Sequence, residues 1–406
     1  MLILSCSYQD NIPEKEKKYI FNTYNRQAGT NLFFVKGEGV FLWDDEGNKY
    51  LDLLAGLGVN SLGHCHPEVV AAAKEQLGRL VHTSNLYYTE PQVKLAQLLV
   101  EKGGGEKAFF CNSGAEANEA AIKLVRKHAR VQGKEDSFTI ITAINSFHGR
   151  TMATVTATGQ EKHRVNFAPL LPGFTYAPFN DLEAFAGKVD ETTCAIMVEP
   201  LQGEGGVYVA DPSFLQGLRK LCDEKKLLLI FDEVQCGLGR TGKLFAWEHY
   251  GVEPDVITLA KALGGGLPIG AMLARGEAAK AFAPGDHAST FGGNPVVCAA
   301  AFAVLQKICS PAFLEEVKDK GEFLQQGLQA IKKKKPQLVK EVRGLGLMAG
   351  LEIAQGAAAV QGKCQEKGLI LNNIGDKVVR MLPPLIISRE QLKEALEILE
   401  SALEGA

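Results

Sequence analysis

The sequence predicts an α/β fold: a large domain on a mostly parallel sheet, plus a smaller α+β domain. Two observations lead there. Over roughly 200 residues short apolar runs alternate with helical stretches, the pattern of a parallel sheet covered on both faces. After about Pro311 this gives way to one long amphipathic helix, a strand-rich stretch and a closing helix.

Taken in order, residues 1–30 are polar and irregular, and Glu38 to Leu54 alternates like a hairpin with Asp45-Glu46-Gly47-Asn48 as its turn. Pro67 to Leu80 and Pro91 to Glu101 read as helices. Ala108 to Cys111 is a short buried strand that leads into a helix from Glu116 to Arg130. Further strands are expected at Phe138 to Ala143, Cys194 to Val198, Leu227 to Phe231 and Val256 to Leu259, with a helix from Phe214 to Lys225 before the third. Val296 to Ile308 is a helix. The second unit holds a helix from Phe313 to Lys335, strands within Val342 to Ile353, Leu369 to Leu371 and Val378 to Leu382, and a helix from Arg389 to Leu403. This divides the chain into an N-terminal segment, 1–62, packing with the small domain; a large domain, 63–308; and a small domain, 309–406. No internal repeat or low-complexity segment occurs.

The chain has 406 residues, 46% apolar and 22% charged, with a net charge of −3, ordinary for a globular protein and with no basic surplus for nucleic acid. The single basic run, Lys332 to Lys335, reads as a solvated helix end. Nine cysteines without a CxxC pair suggest reduced thiols rather than a disulfide framework. Gly63-His64-Cys65-His66 offers too few ligands for zinc, and no metal is expected. No apolar run approaches a membrane span, and Met1 to Cys6 is too short for a signal peptide core. A cytoplasmic protein is expected.

Two strand ends carry the sharpest chemistry. Leu228 to Phe231 is an apolar run that delivers Asp232; Thr258-Leu259-Ala260 delivers Lys261, the sole lysine between Lys243 and Lys280, ahead of Gly264-Gly265-Gly266. A buried lysine has a lowered pKa and can form a Schiff base with an aldehyde cofactor. A buried carboxylate needs a cationic partner, which a pyridinium N–H supplies. Taken singly, Lys261 also fits a snorkelling lysine. Asn112 to Asn118 follows a strand and opens a helix, with Ser113 and Glu116 as a capping box and Gly114 allowing close approach of an anion. Ser146 to Thr151 places Phe147, His148 and Arg150 in one loop, suited to stacking on a ring and clamping a carboxylate; taken singly, a core Phe and a surface Arg explain it better, and His148 equally fits a hydrogen-bonded loop histidine. Glu199 ends another strand and Glu204 lies in the glycine-rich turn that follows. Gln235 stands three residues beyond Asp232, and Ser289 and Thr290 form a hydroxyl-rich turn before a helix.

The ordered series NSGAEAN (112–118), SFHGRT (146–151), EPLQGEGG (199–206), FDEVQCGLGRTG (231–242), AKALGGGLPIGAM (260–272) and STFGGNP (289–295), with Gly63 to Pro67 and Arg343-Gly344-Leu345-Gly346-Leu347-Met348, closely resembles the class III (subgroup II) aminotransferases. The resemblance spans roughly residues 33–400. It implies a fold type I transferase and pyridoxal 5'-phosphate (PLP) as cofactor. Lys261 would bond the cofactor aldehyde, Asp232 pair with the pyridine nitrogen, Gln235 contact the ring oxygen and Phe147 stack on the ring. Ser113, Gly114 and Ala115 would hold the phosphate, and Glu199, Glu233 and Val234 complete the cofactor shell. Thr290 would reach the phosphate in a partner subunit, making a homodimer with shared sites. Arg150, with Ser289 nearby, would bind the substrate α-carboxylate. Arg380 would bind that of 2-oxoglutarate, with Glu204 as a gate over it. Ala115 departs from a common threonine, so one hydroxyl contact to phosphate is absent. The segment from Tyr24 to Val35 looks longer than usual.

FDEVQCGLGRTGKLFA is most similar to family members whose amino donor is N-acetylornithine. The resemblance therefore implies transfer of that δ-amino group to 2-oxoglutarate, in ping-pong order. Ornithine, succinylornithine, 4-aminobutyrate and N-acetyllysine-type donors remain as alternatives. An aminomutase of the same fold, a nucleotide-binding module without PLP and an inactive paralogue fit the motifs less well.

Overall fold

The computed structural model describes residues 12–24 and 32–404. The start of the chain, with Cys6 and its signal-like run, lies outside them. A seven-stranded sheet forms the centre, in the order Lys107–Cys111, Gly270–Ala274, Val256–Leu259, Leu228–Asp232, Thr193–Val198, Thr139–Ala143 and Phe174–Ala177. Gly270–Ala274 runs antiparallel to both its neighbours, and the other strands share one direction.

Both faces of this sheet are covered, which is why its strands read as unbroken apolar runs. In Leu228–Asp232, Ile230 packs towards the helix Gly114–Val131, while Leu229 and Phe231 pack towards Pro212–Lys225. The helices Pro67–Arg79, Glu90–Gly103 and Pro295–Ile308 enclose a further core with Ile257, Leu259, Ala271 and Leu273.

A second sheet, Val339–Leu345, Met348–Ile353, Val378–Met381 and Asn372–Ile374, is antiparallel throughout. Its core draws on the helices Pro311–Lys334, Ala357–Glu366 and Arg389–Glu404, and on Val40, Leu51 and Leu53 of the N-terminal hairpin. That hairpin, Phe41–Asp44 with Lys49–Asp52, pairs in parallel with Leu369–Ile370. The basic run at 332–335 is not wholly solvated: Lys334 and Lys335 pair with Glu400 and Glu404 of the last helix.

Arg240 ties the halves together. It is 1% exposed and donates to the carbonyls of Leu347 and Pro383 and to Ser61 Oγ. Burial pushes its guanidinium down to about 9, with no carboxylate partner among the described residues.

The structure holds elements that the sequence reading did not expect, among them the helices Met152–Ala157, Leu182–Ala186 and Ala357–Glu366 and the strand Phe34–Glu38. A short helix, Ile12–Tyr19, lies in the stretch read as irregular. Phe174–Ala177 and Gly270–Ala274 are strands without a marked apolar run of their own. No single helix among the described residues is long and apolar enough to cross a membrane. The eight cysteines among those residues are unpaired.

Candidate active site

A cavity of about 440 Å³ opens beyond the carboxyl ends of the parallel strands, where open α/β sheets place their ligands. Ser113, Gly114, Ala115, Phe147, Arg150, Glu199, Glu204, Asp232, Val234, Gln235 and Lys261 all line it. Residues separated by up to 148 positions thus meet because each follows or ends a strand on the same edge of the sheet.

One end of the cavity is a helix N-terminus. Ser113 caps Gly114–Val131 by accepting the N–H of Glu116 at 3.2 Å, and the Glu116 carboxylate takes the N–H of Asn112 at 2.7 Å. The early N–H groups of this helix and its dipole favour an anion. Gly114 is required there: a Cβ would lie 2.7 Å from Val234 Cγ1.

Asp232 is 3% exposed at the cavity base. Its Oδ2 meets Asn118 Nδ2 at 2.7 Å and His148 Nδ1 at 2.8 Å, and its Oδ1 accepts the Val234 N–H at 3.0 Å. His148 thereby gains a place that its loop position left open. Asn118 was not singled out, although it is the one polar residue among the buried positions of this helix, with Ala117, Ala120, Ala121, Ile122, Leu124, Val125 and Ala129. His148 Nε2 and Asn118 Oδ1 are buried without hydrogen-bond partners among the described residues.

Lys261 begins the turn after Val256–Leu259, with φ of +43°, a left-handed backbone that an L side chain adopts at a cost. Burial lowers its pKa, against the raising fields of Glu204, Asp232 and Glu199, so more of the amine is neutral and nucleophilic. Glu199 accepts the N–H groups of Phe147 and Gly203 at 3.1 and 3.4 Å. Burial and then the Asp232 carboxylate hold it well above the ordinary carboxylate range.

Arg150 is exposed at the rim, its guanidinium 5.5 Å from the Phe147 ring centroid. His163 meets the same ring edge-on at 5.9 Å. Deeper in, Glu204 pairs with Arg380 at 2.5 Å, and Gln235 donates to Glu204 at 3.3 Å and accepts from Arg380 at 3.4 Å. Arg380 is 1% exposed and does not line the cavity. Burial raises the Glu204 carboxyl, but the Arg380 charge and hydrogen bond outweigh it and leave it below its ordinary value. Asn372 Oδ1 fixes Arg380 Nε at 3.1 Å.

Several residues named from the sequence do not line this cavity. Glu233 does not line the cavity: its carboxylate accepts the N–H groups of Ala246 and Trp247 at 2.7 and 2.8 Å. Burial, opposed by those two bonds, pushes it up to about 8. A carboxyl raised on folding stabilises fully below the ordinary carboxylate range and loses that contribution as pH rises to about 8. Thermal unfolding of Glu233→Gln is expected to show a shallower decline over this interval, from a lower starting point because its NH2 faces an N–H donor. An unchanged slope would refute this role.

Ser289 lies outside the cavity lining and hydrogen-bonds Asn112 Nδ2 at 3.2 Å. Thr290 is exposed outside it, beside Phe291. Tyr24 is exposed and absent from the lining. Val59, Leu267, Pro268 and Ile269 line the cavity without having been anticipated. Val59 follows four residues, Ala55 to Gly58, all at positive φ, and this left-handed turn leaves no periodic signal.

Comparison with known proteins places these features in a family. The profile described as "Aminotransferase class-III" matches residues 23–403. The chain is 54% identical to the acetylornithine aminotransferase of Caldanaerobacter subterraneus subsp. tengcongensis, covering 96% of this chain and 98% of that one. It is 51% identical to the protein of that name from Methanocaldococcus jannaschii, covering 97% and 98%. Among solved structures, N-acetylornithine aminotransferase from Stenotrophomonas maltophilia is similar with a TM-score of 0.83 and 39% identity, covering 97% and 98% of the two chains. Ornithine aminotransferase from Toxoplasma gondii has a TM-score of 0.93 and 33% identity, covering 97% and 94%.

Proposed function

The chain belongs to the class-III aminotransferases, and from that premise we propose that it transfers the δ-amino group of N-acetylornithine to 2-oxoglutarate. The products are N-acetylglutamate 5-semialdehyde and glutamate, and the step serves arginine biosynthesis. The observation that carries this reading is the single cavity bringing Lys261, Asp232, Arg150 and Glu204 together, with Arg380 held behind Glu204.

The cofactor of this family is pyridoxal 5'-phosphate, and the residues present fit it. The helix N-terminus suits a phosphate, and Gly114 leaves the room that a Cβ would take. Asp232 offers a carboxylate for a ring nitrogen, already supported by His148 and Asn118. Phe147 offers a ring face, and Lys261 an amine for the aldehyde. When bound, the cofactor stabilises negative charge at the carbon that loses its proton.

The chain's own groups do the rest. Lys261 removes the proton from the donor's δ-carbon and later delivers one to the Cα of the acceptor. Arg150 orients the donor by its carboxylate. Asp232 would pair with the cofactor's ring nitrogen, and the contacts from Asn118, His148 and the Val234 N–H hold its carboxylate in place. Glu204 covers Arg380 while the donor is bound and releases it to the α-carboxylate of 2-oxoglutarate. One site thereby serves two substrates of different charge, in ping-pong order.

We further infer a homodimer. Leu86, Tyr87, Tyr88 and Phe291 are 85%, 67%, 99% and 61% exposed, a large apolar surface for a monomer. Asn85 joins the two loops that carry them by donating to the carbonyls of Ser289 and Gly292. Thr290, on this ledge, would serve a partner subunit's phosphate. The unpaired thiols support a cytoplasmic location.

The test of substrate is kcat/KM with N-acetylornithine, ornithine, succinylornithine and 4-aminobutyrate, each against 2-oxoglutarate. N-acetylornithine is expected to lead by at least about tenfold, the size of one good polar or apolar contact. A higher value for any of the others would overturn the assignment.

A further inference from the structure

The run Arg343 to Met348 has no task in the scheme above, yet it reaches the gate. Arg343 on Val339–Leu345 stands opposite Gly350, and Gly350 stands opposite Arg380 on Val378–Met381. Residues directly opposite share a face, so two arginines rise from one row of the sheet with a glycine between them. The hairpin formed by Leu201–Gln202 and Tyr208–Val209 lies over this row, with Glu204 in its turn.

Val207 fills the gap: a Cβ at Gly350 would lie 2.9 Å from Val207 Cβ. On one side Arg380 holds Glu204 at 2.5 Å. On the other, Arg343 Nε donates to the Gly206 carbonyl at 3.0 Å and its guanidinium lies 4.1 Å over the Tyr208 ring. Glu341, at 2.5 Å, and Glu352 fix Arg343 in turn. Val207 has φ of +60°, a strained backbone for a β-branched residue that only its surroundings can maintain.

We propose that Arg343 is a positioning residue of the Glu204–Arg380 gate: by gripping the far side of the turn, it sets how firmly Glu204 covers Arg380 and so tunes affinity for dicarboxylates. The proposal rests on the gate reading given above. A dicarboxylate must displace Glu204 to reach Arg380. Loosening the turn lowers that cost, so binding should tighten when Arg343 is removed. Loss of a cation acting only through its field has the opposite sign and would weaken a dianion's binding.

The experiment is calorimetric titration of the holoenzyme with glutarate, a five-carbon dicarboxylate without a reactive carbonyl. It compares the wild type, Arg343→Gln, Glu204→Gln and the double variant, with Arg343→Lys as a milder change. Both single Gln variants are expected to bind glutarate about fivefold more tightly, the worth of one net hydrogen bond. The double variant should match Glu204→Gln alone, and Arg343→Lys should fall between wild type and Arg343→Gln. If Glu204→Gln tightens binding while Arg343→Gln does not, or if the two gains add in full, the role of Arg343 is overturned and the gate stands. If Glu204→Gln changes nothing, the gate reading itself fails and this proposal falls with it.

Discussion

Replacing Lys261 with alanine is expected to lower the transamination rate by at least about 10⁴-fold, since one side chain supplies both the amine for the cofactor aldehyde and the moving proton. The visible absorbance of the lysine-bound cofactor should disappear as well. The fold should survive, because Lys261 lies at the cavity wall and its side chain fills no core. Alanine accepts the local φ of +43° no better and no worse than lysine. Rates within about tenfold of wild type would remove Lys261 from the chemistry. A large loss accompanied by an unchanged visible band would remove it from the cofactor.

The second largest effect is expected at Asp232. Asparagine keeps its shape but loses the charge that pairs with a pyridine nitrogen, which should cost about 10²–10³-fold in the donor half-reaction. The geometry sharpens this. Asp232 Oδ2 is approached by both His148 Nδ1 and Asn118 Nδ2, so an asparagine NH2 turned that way would meet the Asn118 amide donor. Its side chain is therefore expected to seat with Oδ1 towards those groups and NH2 towards the Val234 N–H, at some loss of stability. Rapid mixing with N-acetylornithine, together with cofactor affinity, checks both parts. A half-reaction within about threefold of wild type, well short of the loss expected for such a charge, would mean that Asp232 is structural.

How far the site was legible depended on whether a residue stood where the chain changes character. Asp232, Lys261 and Glu199 are polar groups that end or follow apolar strands, and the same edge of one sheet collects them. The adjacent carboxylates Asp232 and Glu233 show the limit. Successive residues of an extended chain point to opposite sides, and here one faces the cavity while the other takes the N–H groups of Ala246 and Trp247. That period of two was available from the sequence and separates them. The turn at Ala55 to Gly58 was not available, because its positive φ values leave no pattern of apolar residues. Gly270–Ala274 was hidden for a different reason. Its Ala-Met-Leu-Ala run is set off from Leu267-Pro268-Ile269 only by Gly270, and its antiparallel pairing is fixed by strands at 107–111 and 256–259. The gate could be named from resemblance, but the row Arg343–Gly350–Arg380 appears only when three strands are in register.

Single turnover of the holoenzyme with N-acetylornithine and no acceptor, followed by absorbance, bears most directly on the central claim. The account requires the visible cofactor band to be lost with one equivalent of semialdehyde released per site, and to return when 2-oxoglutarate is added. A band that persists until both substrates are present would contradict it.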